Sequence, residues 1–300
     1  MKIDHVENLY RPEAQVILLF KECYAMEKLH GTAAGILFDP LTSNIKFESG
    51  GEKHERFVSL FNQEQLIQSF KNFGVPNDKT IKIYGECYGA SQQGMSHTYG
   101  LTLKFIAFAV KIGDSFLNVP DAEDVVKKLN LEFVDYVKVS TNLSSLDAER
   151  DKPSTQSIRN GITTINTDGT LNNPKKREGV VIVPLVEMTM NNGKRVICKH
   201  KGSDFMETAT ARPVVDPSKM KVLEDANSIA NEWVTANRLS HVLDQIPNHG
   251  MEKMRDIIAS MVADVLREGK DEIVESEAVK KAIGKKTVEM YKAYLKSQVV

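Results

Sequence analysis

The spacing of apolar residues changes once along this chain of 300 residues, near Pro217, and that change divides what the chain can fold into. Before it lie short runs of β-branched, aromatic and other apolar residues, punctuated by glycine, proline and asparagine. The runs 22–29, 35–39, 80–87, 103–112, 179–184 and 195–199 read as strands. Asn62–Phe73 and Asp121–Leu129 have helical spacing instead, the second after a Pro120-Asp121 start. Residues 141–177 are polar and rich in Ser, Thr and Asn, and are expected to form mobile surface structure joining two parts of one domain. Beyond Pro217, apolar residues fall three and four apart in Met220–Leu243, Glu252–Glu268, Glu275–Ile283 and Lys286–Ser297, with joints at Pro247, Gly250, Gly269 and Gly284. The expected organisation is a strand-rich domain over residues 1–216, a hinge from Arg212-Pro213 to Pro217, and an all-helical domain over 217–300.

The length suffices for two domains with a core each. A formal net charge of −1 excludes a histone-like polybasic binder, though not a local lysine patch. Cys23, Cys87 and Cys198 sit in apolar strand-like runs, too scattered for a disulfide framework or a zinc site. They suit core positions in a reducing cytoplasm. Met1-Lys2-Ile3-Asp4-His5 does not open a signal peptide, and the apolar run Ala14 to Phe20 is too short to span a bilayer, so no membrane partner is expected.

Chemistry is suggested by an ordered series: Lys28-Leu29-His30-Gly31-Thr32, Gly85-Glu86, Phe105-Ile106-Ala107-Phe108, Glu178-Gly179-Val180-Val181 and Lys199-His200-Lys201. Any one of them alone reads as a solvated strand end or as core. A lysine nucleophile must be desolvated or set beside other cations to lose its proton. Lys199 and Lys201, two apart on a strand, present to one face and would supply that field, while Cys198 and His200 face away. Glu178 and Glu86 adjoin glycines at the edges of apolar runs, which suits carboxylates facing a cleft. Phe108 shares a strand face with Ile106 and Val110, so core packing competes with a platform for a base. Gly31 permits close approach of backbone to a ligand.

In this order the motifs resemble the RNA ligase 2 family, which includes bacteriophage enzymes and the trypanosome editing ligases, within the covalent nucleotidyltransferases. The resemblance runs from Glu22 to Lys201, and Trp233-Val234-Thr235-Ala236-Asn237-Arg238-Leu239 with Val242-Leu243 resembles the start of that family's helical C-terminal domain. DNA ligases and capping enzymes carry an OB-fold there. The resemblance implies an α+β chain, with an antiparallel-sheet, ATP-grasp-like nucleotidyltransferase domain followed by helices. It implies an ATP-dependent RNA ligase joining 3′-OH and 5′-phosphate ends through lysyl-AMP and an adenylylated RNA end. Lys28 is the implied nucleophile, and Lys199 and Lys201 hold the α-phosphate. Glu178 holds Mg²⁺ or Mn²⁺, Phe108 stacks on adenine and Glu86 contacts ribose. Glu27, Leu29, His30 and Thr32 complete the nucleotide site. The implied partners are RNA ends, nicked or base-paired, met by a monomer in the cytoplasm (the host's, for a phage-encoded chain).

Two departures stand out. Ala33 occupies a position where the phage family often has Asn, and Glu48 stands where a phosphate-binding arginine is expected. Lys53, His54 or Arg56, after the permissive Gly50-Gly51, would replace that arginine, and Arg238 with His241 would engage RNA from the helical domain. Ala33 and Glu48 also keep open a catalytically decayed nucleotide- or RNA-binding module, beside a DNA-joining or capping enzyme.

Overall fold

Two antiparallel sheets dominate residues 22–201 of the computed structural model, which describes residues 5–73, 79–210, 212, 214, 222, 224–246 and 248–298. One sheet runs in the order β11 (Cys198–Lys201), β10 (Gly179–Pro184), β1 (Glu22–Lys28) and β7 (Tyr136–Ser140). The other runs β3 (Asn44–Ser49), β2 (Thr32–Asp39), β4 (Ile81–Tyr88), β5 (Lys104–Ile112) and β6 (Ser115–Phe116). A small hairpin, β8 (Thr164–Ile165) with β9 (Leu171–Asn172), stands apart. Because β1 belongs to one sheet and β2 to the other, the three residues after Lys28 carry the chain across the junction. The lysine turn is therefore a place where two sheets meet.

Packing explains the second sheet. Ile36, Phe38, Ile81, Ile83 and Val110 are buried at its centre, where β-branched and aromatic side chains fit a pleated surface. Helices α1 (His54–Val58) and α2 (Gln63–Asn72) bring Phe57 and Phe70 onto it, and Phe38 stacks on Phe70 at 4.6 Å between ring centroids. Asn62 caps α2 by accepting from the Gln65 amide at 3.1 Å. The short α3 (Ser96–Tyr99) follows β4, and α4 (Val119–Lys128) begins two residues earlier than the Asp121 start expected. β3 and β7 were not legible as strands, because NIKFES and YVKVS lie at sheet edges and bury few side chains.

Residues 141–177 are not merely surface. Helices α5 (Leu143–Arg150) and α6 (Thr155–Arg159) cover one face of the first sheet, burying Leu146, Ser154, Gln156 and Ser157. Their polarity misled, because the buried polar groups are paired with one another and with the sheet. Ser154 donates to the Glu27 carboxylate at 2.5 Å, the Gln156 amide donates to it at 3.2 Å, and Ser157 bonds Thr163 at 2.9 Å.

Contacts divide the chain into Met1–Gly202 and Ser203–Val300. The boundary expected at 216/217, most of the hinge, the Met220 helix start and Pro247 lie outside the described residues. The second unit is helical: α7 (Ala226–Trp233), α8 (Ala236–Asp244), α9 (Met254–Glu268) and α10 (Glu277–Ser297) surround Trp233, Leu239, Met261, Ile283 and Tyr291. The single helix expected up to Leu243 breaks at Val234-Thr235, where the Thr235 hydroxyl caps α8. Conversely, Gly284 is not a joint. It lies inside the continuous α10, and a Cβ there would sit 3.2 Å from Ile258, so the glycine permits a close helix crossing. Among the described residues no helix is long and apolar enough to cross a membrane.

Candidate active site

Register in the first sheet sets out the site. Gly179 on β10 pairs with Lys28 on one side and with Lys201 on the other, and Val181 pairs with Lys199. Directly opposed strand residues share a face, so Lys28, Lys199 and Lys201 converge on one side, as the two-residue spacing predicted. Glu27 and His200 take the opposite side, under α5 and α6. There His200 lies 2.7 Å from Asp147, and burial lowers its pKa.

Glu178 is the centre of the cluster. Its side chain is fully buried, with Lys28 Nζ at 2.9 Å, Lys201 Nζ at 3.0 Å and His30 Nδ1 at 3.2 Å from its two oxygens. Burial by itself would raise its pKa, but Lys28, Lys201 and His30 outweigh that and hold the carboxyl well below the usual range. The strand-end reading placed Glu178 facing a cleft; its side chain is instead sealed among Lys28, Lys201 and the His30 ring. Lys28 is the most accessible of the three, at 24% side-chain exposure against 3% for Lys201.

Glycines allow this crowding. Gly179 has φ +151°, and a Cβ there would fall 2.1 Å from the His200 carbonyl oxygen. Gly179→Ala is expected to destabilise the protein by about 2–3 kcal/mol through strain and overpacking, measured by urea denaturation, and to shift Lys201 away from Glu178. Gly31 is as tight, with a Cβ 2.4 Å from the Cys87 carbonyl, and its amide donates to Glu86 Oε1 at 3.0 Å. Glu86 therefore braces the lysine turn. The Tyr99 hydroxyl, in the core, braces it too by accepting from the His30 amide at 3.3 Å.

The RNA ligase family profile matches residues 21–201, more than half of the chain. This protein belongs to the RNA ligase family. Among solved structures it is similar to the RNA ligase of Naegleria gruberi. A lysine-to-methionine variant of that enzyme with AMP and Mn is 16% identical, with a TM-score of 0.49, over 68% of this chain and 57% of that one. A lysine-to-alanine variant with ATP and Mn is 17% identical, with a TM-score of 0.49, over 68% and 56%. The form with pyrophosphate is 16% identical, with a TM-score of 0.48, over 68% and 57%. The chain thus spans a little over half the length of these ligases. No curated protein matches its sequence.

Other expected site residues of this RNA ligase family member are distributed unevenly. Thr32 is buried on β2, and its hydroxyl donates to Gln92 Oε1 at 2.8 Å. Gln92 Nε2 in turn donates to Glu52 Oε2 at 2.7 Å, and Arg56 reaches the same oxygen at 3.2 Å. Gln92 and Glu52 were missed, for they carry no sequence signal beyond the glycines around the 89–94 turn. Arg56 is half exposed at the outer end of this chain of contacts, and Lys53 is exposed beside it. Glu48 lies on β3 with Lys46 at 2.8 Å.

Leu29 is core, and Glu27 is held by α6 on the side opposite Lys28. Phe108 is half-buried, and its simple alternation with Ile106 and Val110 fails. The β4–β5 register passes from Tyr84–Ala109 to Gly85–Ala107, leaving Phe108 as the extra residue of a bulge. Bulges re-aim a side chain. Arg238 needs the plainest correction. It is 1% exposed within the helical unit, donating to the Trp233 carbonyl at 2.8 Å and pairing with Asp264, so it is a packing residue and not a surface for RNA.

Proposed function

We propose that this chain is an ATP-dependent RNA ligase, joining RNA 3′-OH and 5′-phosphate ends through lysyl-AMP and an adenylylated RNA 5′ end. The observation that carries this reading is the placement of Lys28 at the sheet junction, 2.9 Å from a buried Glu178 that Lys201 also binds. The buried carboxylate fixes the amine where it enters the site, and the neighbouring lysines provide charge for a phosphate.

In the first step Lys28 Nζ attacks the α-phosphorus of ATP. A P–N bond forms, the bond to pyrophosphate breaks, and the amine gives up a proton. In the second, an oxygen of the RNA 5′-phosphate attacks the same phosphorus, the P–N bond breaks, and the amine recovers a proton. In the third, the RNA 3′-OH attacks the activated 5′-phosphate and gives up its proton, the phosphodiester forms, the anhydride bond breaks, and AMP leaves. Lys199 and Lys201 stabilise charge developing on the α-phosphate. Thr32, Glu86, His30 and Phe108 are assigned to the nucleotide, with Glu27 and Leu29 supporting the strand that bears Lys28.

Glu178 fits a divalent metal such as Mg²⁺ or Mn²⁺. Its oxygens are hard donors kept ionised, and among the described residues no set of three His, Cys, Asp or Glu ligands converges there. An ion held there by one carboxylate would take its other donors from phosphate and water oxygens. When bound, such an ion would offset triphosphate charge and weaken the carboxylate's hold on the Lys28 proton.

The substrate is taken to be nicked or base-paired RNA, met by a monomeric enzyme of the cytoplasm with an adenylyltransferase domain over 1–216 and a helical domain over 217–300. The test is sealing of nicked duplexes with an RNA or a DNA 3′-OH strand. Sealing of the RNA nick alone supports the reading; sealing of the DNA nick alone overturns it. Arg56, with Lys53 beside it, is assigned the phosphate role lost at Glu48. Arg56→Ala is expected to leave lysyl-AMP formation within about threefold while slowing nick sealing about tenfold, a loss of about 1.4 kcal/mol.

A further inference from the structure

Helix α10 spans 21 residues, and its lysines are not distributed at random. With 3.6 residues per turn, Lys281, Lys285, Lys292 and Lys296 fall within an arc of about 60°. All four are exposed, and Val279, Ile283, Thr287 and Tyr291 occupy the buried side of the helix. At 1.5 Å rise per residue the stripe is about 22 Å long.

Some helix lysines of this protein meet a carboxylate three or four residues away. Lys127 pairs with Glu123 at 2.7 Å, Lys128 with Asp124 at 2.6 Å, and Lys280 with Glu277 at 3.1 Å. The four stripe lysines differ. Among the described residues no carboxylate lies within ion-pair distance of any of them, and Glu289 at the flank is the one acidic residue nearby on the helix. An overall charge of −1 makes such a concentration of positive charge local rather than a reflection of composition.

We infer that this stripe on α10 is a docking surface for the phosphodiester backbone of duplex RNA. The inference rests on the RNA-joining reading, and it places the helical unit's RNA contact on Lys281, Lys285, Lys292 and Lys296 instead of on the buried Arg238. A row of cations about 22 Å long is complementary in sign to a polyanion, and a duplex offers it dense charge, one per ~1.7 Å of axis in double-stranded DNA. Contacts of this kind carry no sequence information and are strongly salt-dependent.

The experiment uses the full chain and an unbroken RNA duplex of about 20 base pairs, so that binding does not depend on ligation. Fluorescence anisotropy is followed from about 50 to 200 mM salt. The variant carrying Lys281→Gln, Lys285→Gln, Lys292→Gln and Lys296→Gln keeps helix propensity and is compared with one carrying four Lys→Arg changes, and with Lys127→Gln/Lys128→Gln. The glutamine variant is expected to bind at least about tenfold more weakly, with a salt slope shallower by about 3. The arginine and Lys127/Lys128 variants should match wild type. Circular dichroism and lysyl-AMP formation should be unchanged in all of them. Equal affinity and slope in the glutamine variant would overturn the inference. Failure of wild type to form lysyl-AMP would instead count against the ligase reading, and the duplex measurement would still decide the stripe.

Discussion

Lys28→Ala should abolish covalent labelling. Wild-type protein incubated with Mg²⁺ and ATP labelled on the α-phosphate is expected to retain label through denaturation. The variant should show none above background, and sealing of nicked RNA should fall by at least about three orders of magnitude, because it lacks the proposed nucleophile. Lys201 is no substitute: it is buried, with its amine 3.0 Å from Glu178. The result is decisive provided any AMP already carried by the isolated protein is accounted for, by the mass excess that pyrophosphate removes. Sealing that survives the loss of Lys28 would sink the proposed mechanism.

Glu178→Gln should be the most damaging change to both stability and chemistry. The glutamine has nearly the same shape, but it leaves Lys28, Lys201 and His30 facing one another without a charge between them. Removing one partner of a buried ion pair costs about 3–5 kcal/mol, and the same order is expected here from urea denaturation at neutral pH. Adenylylation should fall at least about a hundredfold, since the carboxylate proposed to hold the metal is gone. The pH dependence gives a second reading. Glu178 binds its proton more weakly in the folded protein than in the unfolded chain, where its value is near 4.5. Its contribution to stability is therefore fully present above that value, and it is lost as pH falls through the depressed folded value. The gap between wild type and Glu178→Gln should hold at neutral pH, start to narrow only below about pH 4.5, and close in stronger acid. A gap independent of pH would mean that shape, and not charge, holds the cluster together.

How much of this was legible follows from the kind of signal each residue carries. Lys199 and Lys201 were assigned to one face by two-residue alternation, and the register with Gly179 puts them there beside Lys28. Strand positions such as Ile81 and Ile83, and the helical spacing of the last part, were readable because apolar periodicity is a local property. Element edges and joints were less so. Gly284 read as a break and Val234-Thr235 did not, since whether glycine ends a helix depends on what packs against it.

The site divides in the same way. Sequence alone determined the order of motifs, the family they resemble, and the residue types able to form and stabilise a lysyl phosphoramidate. Only the tertiary structure decided that Glu178 is sealed among Lys28, Lys201 and His30, and that Glu86 braces the Gly31 amide. It also decided that Gln92 and Glu52 connect Thr32 to Arg56 across forty and more residues, and that Arg238 is core. Motif and periodicity are written in neighbouring residues. Burial and the pairing of charges depend on which distant segments the fold brings together, and parts of the polar segment 141–177, such as Leu146, Ser154 and Gln156, became interior only because the first sheet offered a face to cover.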